Sequence, residues 1–221
     1  MTTTIENIST PLPTKTNEMS WEDFYEAITD AEHTEKVRLL EVIPTPPMTA
    51  EPRSDAWNEE WFAQRRASDK RDAAFYGYCS KLILEIGKAL ASAVPAFRSL
   101  DIEYEGMGDS GEACVITIYT DRPRMFDAEG NFRRPTHEEN EAFNQQQDAA
   151  NNILPSDLKE WMDETAWMIA YNKHPGFEID AGGFGQIVVA PADENEEGSP
   201  LQLTISHTDR VEETYPEEVL A

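Results

Sequence analysis

Cysteine, long apolar runs and positive charge are all scarce in this sequence. Cys79 and Cys114 are the only cysteines in 221 residues. They form no CxxC pair, which excludes a zinc ribbon or a thioredoxin-like motif. Each lies in an apolar periodic stretch and reads as a small buried hydrophobe. No run approaches the roughly 18 uninterrupted apolar residues that span a bilayer. Met1 to Met19 has neither a basic stretch nor an apolar one, so no secretory signal is expected and the expected location is cytoplasmic. The apolar share of 39% is below the usual globular share of about 45–50%. Part of the chain is therefore expected outside the core.

Lysine and arginine number 18 against 43 aspartates and glutamates, for a formal charge of −25. This balance argues against direct contact with nucleic-acid phosphates or anionic membranes, which need positive patches. Three readings of the acidity remain: solubility, adaptation to salt, or a surface that a basic partner recognises.

Thr, Asn and Pro without apolar period make residues 1–19 a disordered arm by expectation. Ser20 with Asp23 three residues on is an N-cap signature. Trp21, Phe24, Tyr25 and Ile28 follow at helical spacing, predicting a short helix to about Asp30 and a further turn over Glu35 to Val42. Ile43 to Arg53 is a proline-rich connector that cannot be helix interior. It is the expected boundary between segment 20–53 and a single domain over 54–210, followed by an acidic tail, 211–221. Ser54 caps a helix carrying Trp57, Trp61, Arg65 and Arg66. A longer helix is predicted over Lys70 to Ala93, with Phe75, Cys79, Leu82, Ile83, Ile86 and Leu90 in one stripe.

After Pro95 the period changes to two. Leu100, Ile102 and Tyr104 alternate with Asp101, Glu103 and Glu105, predicting a half-buried strand. Ala113 to Thr120 is its hairpin partner, with Cys114, Ile116 and Ile118 inward. Asp121 to Pro135 reads as loop and His137 to Asn152 as an exposed polar helix. A further helix starts at Pro155-Ser156, with Leu158, Trp161, Met162, Thr165, Met168 and Ile169 inward. Three short strands are expected at Phe177 to Asp180, Gln186 to Ala190 and Leu201 to Ser206. This segregated order predicts an α+β fold, with about five antiparallel strands packed against helices.

Two glycine-rich segments stand out, Gly106-Met-Gly-Asp-Ser-Gly111 and His174-Pro-Gly-Phe-Glu-Ile-Asp-Ala-Gly-Gly-Phe-Gly185. Asp109, Ser110, His174 and Glu178 are the candidate catalytic residues. Alternation places Glu178 and Asp180 on one strand face, and with Asp109 they make a weak oxygen-rich metal candidate or an acid/base pair. Plainer roles compete with each. Asp109 and Ser110 suit a tight turn. His174, before Pro175 at a helix end, suits the carbonyl end of the dipole. The sequence Gly108-Asp109-Ser110-Gly111 does not suffice for a serine nucleophile, which needs a base, an orienting carboxylate and a many-stranded scaffold. Gly182, Gly183 and Gly185 could form an anion nest but lack the lysine and helix of a phosphate loop, so a hairpin turn is expected. His207 and Arg210 are expected as exposed strand-end residues. Trp57, Trp61, Trp161 and Trp167 are expected as core anchors, since base stacking needs a basic groove.

A strand, a GDSG turn, a helix and an HPGFE-x-D/N-x-GG-x-G segment are together similar to a family of bacterial, plasmid and phage proteins of unknown function. The similarity covers about residues 100–210. It implies a bacterial or mobile-element source and supplies no mechanism, cofactor or site.

The function expected from these features is an acidic binding or inhibitor protein. Its partner would be a basic protein, in one form a nucleic-acid-binding host defence or regulatory protein met by nucleic-acid mimicry. The acidic run Asp193, Glu194, Glu196 and Glu197 is a candidate binding element. A metal-binding or hydrolytic enzyme built on the two glycine loops is the first alternative, and a structural accessory of a mobile element the second. No cofactor, direct nucleic-acid contact or membrane partner is expected.

Overall fold

A computed structural model describes residues 10–107, 110–111, 114–173, 182–193 and 199–209. The chain is α+β. Two long helices come first, α1 (Trp21–Val42) and α2 (Asp55–Ala93). Strands β1 (Phe97–Met107), β2 (Ser110–Gly111) and β3 (Val115–Thr120) follow, then helices α3 (His137–Asn151) and α4 (Ser156–Lys173). Strands β4 (Gly183–Pro191) and β5 (Leu201–Asp209) complete the order.

Four full strands form one antiparallel sheet in the order β3-β1-β4-β5, and the two-residue β2 extends the β3 flank of β1. The expected Phe177 to Asp180 strand lies outside the described residues. The period-2 pattern sets the two faces. Leu100, Ile102, Tyr104, Ile118, Ile187 and Val189 are buried on the inner face, whereas Glu103, Glu105, Gln186, Thr204 and Ser206 are exposed on the other. Helices cover the inner face, and α2 crosses β4 so closely that a Cβ on Gly87 would collide with Val189.

Both long helices run further than their apolar periodicity predicts. In α1 the two expected pieces are one helix of 22 residues, opened by a Ser20–Asp23 capping box. In α2 the expected break near residue 70 is absent, and 39 continuous residues follow the Ser54 cap, a rod of about 58 Å. The bridging stretch has no glycine or proline between Asp55 and Tyr76. Alanine, arginine, glutamine and lysine carry the helix on intrinsic propensity.

The expected separation of segment 20–53 from the rest is not what packs. Phe24, Ile28 and Leu39 join the same core as Leu82, Ile102, Met162 and Ile187. The proline-rich connector lies along the first half of α2. There Glu60 accepts from the Thr49 and Ala50 amides, at 2.6 and 2.9 Å, and Arg71 Nη1 donates to the Ile43 carbonyl at 2.8 Å. The described part of the expected disordered arm, residues 10–19, is seated on the core through Leu12 and Met19. Two inward assignments also fail. Trp61 is 44% and Met168 42% exposed, because each sits on the solvent side of its helix stripe.

Candidate functional site

Polar side chains gather at three places: the glycine-ended edge of the sheet, the α1–α4 seam, and a buried carboxylate under the N-terminal strap.

At the first, register brings the two glycine-rich segments together. Gly106 of β1 pairs with Gly111 on one side and with Gly183 of β4 on the other. Ser110 stands opposite Met107 in the short β2 ladder. Asp109, His174, Glu178, Asp180 and Arg210 lie outside the described residues, as do Glu194, Glu196 and Glu197. Among the described residues no cluster of three or more His, Cys, Asp or Glu side chains could hold a metal ion.

The side chains that do meet at this edge are Tyr104 and His207. Contrary to the expected exposed strand end, His207 is half-buried. Its ring stacks on Tyr104, with centroids 5.9 Å apart and planes 15° from parallel. Tyr104 Oη lies 3.1 Å from the Ser206 carbonyl and 3.2 Å from His207 Nδ1. A carbonyl can only accept, so the phenol donates to Ser206 and its oxygen accepts from Nδ1–H. The ring's other nitrogen is Nε2. It points toward Gly183, where a Cβ would stand 2.9 Å from it. Burial, then the nearby Cys114 thiol, pushes Tyr104 up to about 12, so the phenol stays protonated in this role. Gly185 leaves the space that Tyr104 crosses.

At the second place, α1 and α4 meet around Tyr25. Glu22, Glu26 and Asp30 lie exposed on α1, and Asp157, Glu160 and Glu164 lie exposed on α4. Burial raises the Tyr25 phenol above its ordinary range, and Asp157, Glu160, Glu164 and Glu32 raise it further. Trp161 Nε1 donates to Glu32 Oε2 at 2.7 Å and ties the two helices together. The acidic candidate Asp193 is exposed in the β4–β5 connection. Its amide donates to Ser199 Oγ at 3.0 Å.

At the third, Glu35 of α1 is 2% exposed. Its Oε2 accepts from the Thr10 amide at 3.1 Å, the Thr10 hydroxyl at 2.7 Å and Arg38 Nε at 2.7 Å. Arg38 Nη2 holds Oε1 at 2.6 Å. Burial alone would raise this carboxyl, but the bonds from Arg38 and Thr10 outweigh it and hold the group down at about 2. Tyr78 Oη donates to the Pro11 carbonyl at 3.3 Å and fastens the same strap.

Sequence reading reached the glycine segments but not Tyr104, Tyr25 or Glu35 as centres. Tyr104 sat in the strand alternation as one more inward residue. The signal for Glu35 was its place at i+7 from the inward Ile28, an acidic residue on an apolar stripe. No family model matches the chain, and no curated protein or solved structure matches it.

Proposed function

We propose that the protein is an acidic binding or inhibitor protein whose α1–α4 surface occupies the basic, nucleic-acid-binding site of another protein. The observation that carries this reading is the exposed carboxylates of the two helices, Asp157, Glu160 and Glu164 of α4 close to Tyr25 and Glu22, Glu26 and Asp30 of α1. Glu22, Glu26 and Asp30 are spread over about 12 Å of helix axis, and Asp157, Glu160 and Glu164 over about 10 Å. Taken together, six charges over about 12 Å of helix axis come to one per about 2 Å, close to the roughly 1.7 Å of duplex DNA. Half-buried Tyr25 and Glu32 tie the rows to a packed seam, so the charges are presented on a rigid base. A mobile-element source would make a host defence or regulatory protein the natural target.

The test is capture from a bacterial host lysate with the chain and with a variant in which all six carboxylates are replaced by their amides. A basic partner retained by the first and lost by the second supports the reading. Its binding should weaken steeply as salt rises, and duplex DNA should displace it. A partner held equally by both forms, or a complex indifferent to salt and to DNA, defeats it. A hydrolytic role is the second reading. It is favoured by the fixed Tyr104–His207 pair at the edge where Gly106 and Gly183 meet.

A further inference from the structure

The two edges of the sheet are treated differently. On β3 the edge is sealed by helix side chains. Asn151 Oδ1 accepts from the Ile118 amide at 2.8 Å, and Gln147 Oε1 accepts from the Thr120 amide at 3.1 Å. Gln147 Nε2 donates to the Ile118 carbonyl. Just before the strand, Asp163 Oδ1 accepts from the Cys114 amide at 2.7 Å.

Among the described residues, no helix side chain covers the β5 edge in this way. It is the last strand in the order. Among the described residues, the bond to Leu201–Ser206 beyond the β4 ladder comes from Tyr104, which reaches Ser206 from the β1 side. Strands exposed in this way usually carry lysine, proline or an inward charge that discourages pairing. Leu201 to Thr208 contains no Lys, Arg, Asp, Glu or Pro, in a chain that is 28% charged.

Beside this edge runs an open groove of about 570 Å³ between α2, α4 and β5, within the roughly 300–1,000 Å³ range of ligand sites. Leu203 and Ile205 form its strand wall, Tyr76 and Ile169 its helix walls, and Lys173 one end. Lys173 is exposed and has no ion pair among the described residues. A single cation in the lining, beside Ser80 and Asn172, complements a carboxylate on the occupant.

We propose that β5 and this groove bind an extended peptide segment of a partner protein, which adds to the sheet as a further strand. Backbone hydrogen bonds along Leu201–Ser206 supply its affinity. Apolar side chains at alternate positions enter the groove, and an acidic side chain at one end meets Lys173. Six residues suffice to cover the open edge, about 20 Å of strand. This surface is separate from the six carboxylates of the proposed acidic face. Their replacement by amides should leave peptide binding unchanged, so the two proposals fail independently.

The experiment uses the full chain and eight-residue synthetic peptides of alternating valine and threonine. One ends in glutamate, a second in lysine, and a third is the glutamate peptide N-methylated at alternate amides. Amide exchange at Leu201–Ser206 is followed by NMR. The glutamate peptide at ten times its Kd should slow exchange there by about tenfold. The lysine peptide should bind about fivefold more weakly, and Lys173→Glu, a surface change that spares the fold, should invert that preference. N-methylation should abolish protection. The proposal is overturned if millimolar glutamate peptide leaves β5 exchange unchanged, or if the N-methylated peptide protects equally. It is also overturned if sedimentation shows the free chain already paired through β5 with a second copy.

Discussion

Glu35 should make stability depend on pH in a window that follows from its surroundings. The carboxyl is held at about 2 in the folded chain, against an ordinary 4.5. Because the folded value is the lower one, the stabilisation is complete above pH 4.5 and drains away as the pH falls toward 2. A difference of about 2.5 pKa units corresponds to about 3 kcal/mol. Glu35→Gln keeps the shape but loses the charge-assisted bonds to Arg38 and Thr10. Urea titrations of wild type and variant at pH 7 should therefore differ by about 3 kcal/mol, at the low end of the range for removing one partner of a buried pair. The gap should narrow below about pH 4, fall to about a quarter of its size at pH 2.5 and close only below pH 2. Thr10→Val removes the hydroxyl bond and should reproduce about 1 kcal/mol of the effect. Parallel stability curves for wild type and Glu35→Gln over the whole range would show that the strap and Arg38 do not hold the carboxylate.

Gly87→Ala should cost about 1–3 kcal/mol by overpacking α2 against Val189, and Val189→Ala in the same chain should recover part of the loss in thermal unfolding. Leu82→Ala, at a fully buried position, should cost about 2–5 kcal/mol, read from the urea midpoint. Gln147→Ala with Asn151→Ala should strip the β3 edge of its cover. The double variant should lose amide protection at Ile118 and Thr120 and aggregate faster on warming, and unchanged protection at both amides would refute the edge-sealing role.

Local chemistry determined much of the architecture from the sequence alone. Alternation of Leu100, Ile102 and Tyr104 with acids was enough for β1, because a strand with one wet face must alternate. Ser20 and Ser54 marked helix starts, because a hydroxyl there satisfies an orphan amide whatever the rest of the chain does. Those local rules, with the segregated order of elements, gave the α+β class. Helix length was not legible in the same way. The polar stretch around Arg65 to Asp72 shows no apolar period, and its propensity and the Arg65–Asp69 ion pair at 3.1 Å extend α2 without a visible stripe. Nor did the prolines after Ile43 mark a boundary. They end a helix, but Arg71, Gln64 and Glu60 hold the connector against α2.

What only the tertiary structure decided is which distant groups share a place. Tyr104 and His207 are 103 positions apart, and strand order brings them across Gly185. That Gly106 stands directly opposite Gly183 follows only from the register in which β1 and β4 pair. Gln147 and Asn151 read as polar helix surface, and their bonds to the β3 edge arise because α3 packs there. Burial of Glu35 depends on a strap that composition assigns to disorder. A carboxylate stays ionised in a buried place only where other groups supply the bonds that water would otherwise give; Arg38 does so from within α1, and no periodicity within α1 encodes Thr10.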